Sequence, residues 1–139
     1  MALHPKTLAA RIAQFILNKK GHDVLIMDLR KVTDMADFFV VCSADSDVQV
    51  KAIADSVTEG TDKLGAVQWH SEGISERQWI LLDYVDVVVH VFHREARKFY
   101  NLEKLWADAK IEEIADEPKK PAVPRKIVVP KKKKAKAVS

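Results

Sequence analysis

The stretch Trp79–Trp106 constrains the fold of this chain more than any other. Its first half, Trp79–Phe92, is rich in β-branched and aromatic residues and is interrupted once, at Tyr84-Val85. That pattern predicts two strands joined by a tight hairpin. With Tyr84 and Val85 as the two turn residues, Asp83 lies opposite Asp86, Leu81 opposite Val88, Trp79 opposite His90 and Arg77 opposite Phe92. Directly opposed residues share a face, and alternate residues repeat it. The other face carries Gln78, Ile80 and Leu82 against Val91, Val89 and Val87, and is expected to pack on the core. The first face mixes rings, an imidazole and carboxylates. It reads either as an ordinary solvated face with a tryptophan covered by a loop, or as a surface that a protein partner recognises through aromatic anchors. A slip of one residue would exchange the two faces.

The remaining elements follow from local signals. His4-Pro5-Lys6-Thr7 opens a helix with Leu8, Ile12, Phe15, Ile16 and Lys19 at helical spacing, and Gly21 is its expected stop. Val24–Leu29 and Phe38–Cys42 are apolar strands, the second apolar throughout and so expected at the sheet centre. Between them, Arg30–Asp37 is a polar connection in which Thr33 and Asp34 supply local caps. Asp45 or Ser46 caps a second helix, whose buried stripe is Val50, Ile53, Ala54, Val57, Thr61 and Leu64, ending at Gly65. Ala66–Trp69 is a candidate short edge strand, and His70–Glu76 a loop around Gly73. After the hairpin, Glu95 to about Asp108 predicts a helix, with a break near Asn101 and a packing stripe of Phe99, Leu102, Leu105 and Trp106. Ile111–Ala115 reads as one more frayed turn. The sum is an α/β (α+β) domain over residues 1–115, with helices packed on a mixed sheet of about four or five strands.

From Asp116 the composition changes. Prolines and the Lys131–Lys134 run cannot form a core, so 116–139 is expected to be a disordered basic tail. Glu117–Ser139 holds nine Lys or Arg and one acid, a charge of +8. Since the whole chain carries +3, the preceding 116 residues carry −5. Such a tail serves solubility, or weak attachment to phosphate backbones by counterion release. Cys42 is the single cysteine and lies in an apolar run, which fits a buried inert thiol and a reducing, cytoplasmic setting. No apolar run approaches the roughly 18 residues of a membrane span. The first 20 residues, basic and free of acid, also have the look of a transit peptide, but they are needed as a core helix.

Candidate chemistry is sparse. Asp45-x-Asp47 after a strand could hold a metal for nucleotidyl transfer, but it lacks a preceding Gly-Ser loop and both acids sit where helix caps belong. His90-x-x-His93-x-Glu95 has a metal-ligand spacing spread over a strand and a helix start. There is no Gly-rich phosphate loop, nucleophile elbow or cysteine cluster in the sequence. No cofactor and no resident metal is expected.

Four segments together carry a resemblance. Asp28–Cys42, Glu72-Gly73, Trp79–Phe92 and Arg97–Trp106 closely resemble the ribosomal silencing factor family, RsfS, also called Iojap, over about residues 5–110. The resemblance implies a fold related to nucleotidyltransferases with the catalytic apparatus absent. It also implies a bacterial or organellar factor that docks on large-subunit ribosomal protein fourteen, at the face where the small subunit joins. There it would block joining sterically and repress translation when nutrients are scarce. Members are often homodimers when free. Carried onto this chain, the family's partner-binding residues match Trp79, Asp83, Tyr84, Asp86 and His90 in the hairpin, and Arg97, Tyr100, Glu103 and Trp106 after it. The pattern departs in places. Val85 stands where the family usually has Gly, Arg77 and Gln78 precede the Trp where a Gly is usual, and Ala44-Asp45-Ser46 replaces Gly-Thr-Ser. The tail is outside the family core; its contact with ribosomal RNA is a separate expectation. The alternative function is a metal-dependent nucleotidyltransferase using Asp45 and Asp47.

Overall fold

A computed structural model describes residues 3–100 and 102–114. The expected tail from Asp116 lies outside the described residues. Helix α1 (Pro5–Asn18) starts where the His4 side chain accepts a hydrogen bond from Lys6 N, and buries Leu8, Ala9, Ile12, Ala13 and Ile16. Its stop is displaced from the expected glycine: Lys20 takes the positive φ of 67°. Gly21 serves a different need, since a Cβ there would overlap Ile16 Cγ2. Strands β1 (His22–Asp28) and β2 (Phe38–Ala44) pair antiparallel, with Met27 opposite Phe39. Helix α2 (Asp47–Lys63) is capped by Ser46, whose Oγ accepts from Gln49 N at 3.1 Å.

Three short elements follow: β3 (His70–Glu72), β4 (Trp79–Asp83) and β5 (Val87–His93). Crossing from β2 through α2 lets β5 return parallel to β2, Val40 beside Val89. Helices α3 (Arg94–Phe99) and α4 (Leu102–Leu105) precede β6 (Lys110–Ile114), which pairs antiparallel with β1. The sheet order is β3-β4-β5-β2-β1-β6, with the apolar β2 and β5 at its centre.

The mixed α+β class is as expected, but the sheet has six strands rather than four or five. The added one is β6, expected as a frayed helical turn: the open edge of β1 supplies its hydrogen-bond partners. The edge strand expected at Ala66–Trp69 lies downstream, at His70–Glu72. Pairing begins where Trp69 N donates to Asp83 O at 2.8 Å, and the indole of Trp69 is 70% exposed.

Both faces of the sheet are buried over its central strands. On one, α1 and α2 pack on Ile80, Leu82, Val87, Val89 and Val91, the face expected to be core. The opposite face forms a second cluster of Leu25, Met27, Phe39, Val41, Val88 and Phe92, covered by α3, α4 and the connection 29–37. Asp83 pairs with Val88, Leu81 with His90 and Trp79 with Phe92, two residues away from the expected register. A longer connection causes the shift: Tyr84 N donates to Val87 O at 2.8 Å and Asp86 N to Tyr84 O at 2.9 Å. A slip of two preserves the faces, so Trp79, Leu81 and Asp83 still share one side with His90 and Phe92.

Candidate functional site

The mixed face of the hairpin is built around Trp79. Its indole stacks on Phe92, with ring centroids 5.0 Å apart and planes at 29°, and meets Tyr100 at 4.7 Å. Trp79 Nε1 donates to His90 Nδ1 at 3.0 Å. His90 in turn lies edge-on to Phe39 at 4.4 Å, and Phe39 to Trp106 at 6.0 Å. Rings at these separations and tilts attract through their quadrupoles as well as by burial. Phe92 is wholly buried, Trp79 and Trp106 half-buried, and Tyr100 is 48% exposed. The cluster therefore runs from a dry interior at Phe92 to an aromatic rim at Trp79 and Tyr100.

The rim depends on backbone devices at both ends. Gly73 has φ +82°, and a Cβ there would overlap the carbonyl oxygen of Trp79. Gln78 O accepts from His93 N at 2.9 Å, closing the strand pair before the first turn of α3. Helix α3 is capped by His93, whose Nδ1 accepts from Glu95 N at 3.1 Å. The helix stops at Phe99 because Tyr100 leaves helical geometry, with φ −103° and ψ 82°. That break turns Phe99 outward, 84% exposed, although helical phase had placed it in the buried stripe.

The nine expected partner-binding residues are distributed unevenly. Trp79, His90 and Tyr100 gather around one point, and Trp106 seals the cluster through Phe39. Asp83 is half-buried, and its Oδ1 accepts from Val85 N at 2.7 Å. Asp86 is exposed at the hairpin tip, while its carbonyl accepts from Asp37 N and Phe38 N. Arg97 is half-buried: its Nη1 donates to Ser43 Oγ at 2.7 Å and Asp23 O at 3.2 Å, near the C-terminal end of β2. Glu103 belongs to α4, and its side chain lies outside the described residues.

Two residues expected on the surface are interior. His90 is 3% exposed, because the second cluster closes over it. Burial, with a smaller effect of the Arg97 charge, pushes its pKa down to about 3. Tyr84 continues the alternation of Ile80 and Leu82 and enters the first core. Its hydroxyl lies 2.7 Å from Thr61 Oγ1 and 3.2 Å from Gln68 Oε1, and burial raises its pKa. The alternation itself carried that signal. Phe99, expected in the packing stripe, and Trp69, expected in an edge strand, are instead exposed.

The candidate metal groups are engaged otherwise. Asp45 Oδ1 lies 2.8 Å from His22 Nε2 and 3.9 Å from Arg94 Nη1, and Asp47 occupies the first turn of α2. His90 is sealed in the second cluster, whereas His93 caps α3. Among the described residues no group of three or more His, Cys, Asp or Glu could hold a metal ion. Cys42 is fully buried, and its thiol is pushed up to about 12 by burial. Among the described residues no helix is long and apolar enough to cross a membrane.

Known proteins give this arrangement a context. The family model described as ribosomal silencing factor during starvation matches residues 2–138. The chain is 42% identical over 97 residues to the ribosomal silencing factor RsfS of Bacillus subtilis, covering 70% of this chain and 82% of that protein. It is 40% identical over 97 residues to that of Halalkalibacterium halodurans, covering 70% and 83%. A crystal structure of a Chromobacterium violaceum protein superposes with a TM-score of 0.74 at 32% identity, covering 76% of this chain and 88% of that one. A match over nearly the whole chain, joined to relatives of this identity and the same fold, places it: the chain belongs to the ribosomal silencing factor family.

Proposed function

We propose that this chain acts by binding rather than by catalysis. It docks on the large ribosomal subunit through ribosomal protein fourteen, at the face where the small subunit joins. Occupying that face blocks joining and represses translation when nutrients are scarce. The observation that carries the reading is the aromatic rim of half-buried Trp79 and half-exposed Tyr100, backed by a packed cluster. Such rings supply interface area at small entropic cost, because their neighbours already hold them. The acids Asp83 and Asp86 lie farther along the same hairpin and suit a basic partner surface. Tyr84 and His90 contribute from below that surface.

The names of the relatives, ribosomal silencing factors, support the same reading. In the cytoplasm the free protein pairs with a second copy, covering an apolar rim that would otherwise face water. The basic tail adds a weak contact with ribosomal RNA. Co-sedimentation with separated subunits tests the proposal, using Tyr100→Ala because its half-exposed ring can be removed with little effect on the core. Binding to the large subunit only, weakened about tenfold by Tyr100→Ala, is the expected result. Equal binding to both subunits, or none, would count against it.

A further inference from the structure

The hydrogen bond between Trp79 and His90 is costly in a way that packing does not explain. Trp79 and His90 are diagonal neighbours across the hairpin, since Leu81 lies directly opposite His90 and Trp79 opposite Phe92. Because His90 Nδ1 accepts the indole proton, the neutral ring must carry its own proton on Nε2. That Nε2 is buried and has no hydrogen-bond partner among the described residues. Around the imidazole ring stand Phe39, Trp79 and Phe92. A leucine would fill this space without the unpaired Nε2 donor, but it would take away the acceptor that Trp79 Nε1 uses. The imidazole must therefore give something that a leucine could not.

The other neighbours of Trp79 leave one question open. Phe92 and Tyr100 touch the indole through their rings. Ring contacts set the plane of an indole but discriminate poorly between its two flipped orientations. The bond to His90 Nδ1 does discriminate, because only one flip points Nε1 inward. We infer that His90 is a positioning residue, which locks Trp79 in the one orientation that presents its outer edge beside Tyr100 to the partner. This rests on the docking reading above, but the lock is a property of the free protein and is measurable without any ribosome.

Two substitutions separate the lock from mere packing. His90→Leu keeps an apolar side chain of similar size and removes the acceptor. His90→Asn places a carbonyl oxygen where Nδ1 stood. The first readout is the Trp79 indole N–H signal in nitrogen-15 NMR spectra of the free protein, assigned with Trp79→Phe. In His90→Leu that signal should shift and its hydrogen exchange should accelerate at least tenfold, while the melting temperature changes little, because the lost Trp79 bond and the lost unpaired Nε2 offset one another. His90→Asn should recover most of the protection. Affinity for large subunits should fall about tenfold in His90→Leu and return to within threefold in His90→Asn. An unchanged indole signal in His90→Leu would show that no lock exists. A changed signal with undiminished affinity would show that the lock does not serve docking. If the unaltered protein failed to bind large subunits, the docking reading itself would fall, and the NMR result would still decide the lock.

Discussion

Val85 is the residue most at odds with its own chemistry. It holds φ +74° although it is β-branched, and its side chain is 57% exposed. The left-handed region costs such a residue roughly 1–2 kcal/mol. The bond from its N–H to the Asp83 carboxylate helps to hold it there. Val85→Gly should therefore raise stability by about 1 kcal/mol after the entropy of the glycine is allowed for, read as a higher denaturant midpoint at constant slope. Gly73→Ala should do the reverse, because the added Cβ would meet the Trp79 carbonyl at a positive φ. A loss of about 2 kcal/mol or more, with a changed tryptophan emission, is expected. His90 links stability to pH. Its folded pKa of about 3 lies below the ordinary imidazole value of 6.5, so between those values the unfolded chain binds a proton that the native chain refuses. Stability is thus full above pH 6.5 and falls as the pH drops toward 3. His90→Leu has no such group, and its stability relative to the parent should rise by roughly 3 kcal/mol between pH 7 and pH 4 in denaturant titrations. Asp28 does not disturb that comparison. Its carboxyl is held down at about 2, chiefly by hydrogen bonds from Arg30, and is the same in both proteins.

At the scale of elements, the strands with strong local signals were legible and those made by their neighbours were not. The all-apolar Phe38–Cys42 reads as a central strand from sequence alone, and it lies in one, Phe38–Ala44. The two hairpin faces were also legible, because alternation survives a register error of two residues. Lys110–Ile114 carries no such pattern: it is a strand because β1 has a vacant edge. Phe99 misled for the related reason that helical phase assumes a continuous helix, and α3 ends there. The ring cluster of the candidate site was half legible. The gathering of Trp79, His90 and Phe92 on one face could be read from the alternation, but which rings face solvent depends on how the chain after β5 packs over the second cluster. The origin of β6 gives a prediction. Chains ending at Ile114 and at Ala109 differ only by that strand. The shorter one should lose about 2–3 kcal/mol and self-associate, since the edge of β1, with Leu25 and Met27 on it, is then open. Thermal unfolding and light scattering on the two chains would reveal it.

For the whole molecule, the division of charge is as telling as the fold. Nine cationic residues follow Asp116 in a chain whose first 116 residues carry −5. Two kinds of contact are therefore available to one protein. On the proposed reading the hairpin rim would recognise shape through rings, and that contact should respond weakly to salt. The tail would meet phosphate by releasing counterions, and that contact should respond steeply. If both operate on the ribosome, removing residues 117–139 should leave specificity for the large subunit intact while flattening the salt dependence. Were four of the nine cations engaged, the slope of log affinity against log salt would become shallower by about 3. Tyr100→Ala should act in the opposite sense, lowering affinity at every salt concentration without changing the slope. Measuring large-subunit affinity for the full chain, the truncated chain and Tyr100→Ala from low to moderate salt separates the two contributions. An unchanged slope on truncation would mean that the tail does not meet phosphate, and would leave the folded domain as the whole of the binding surface.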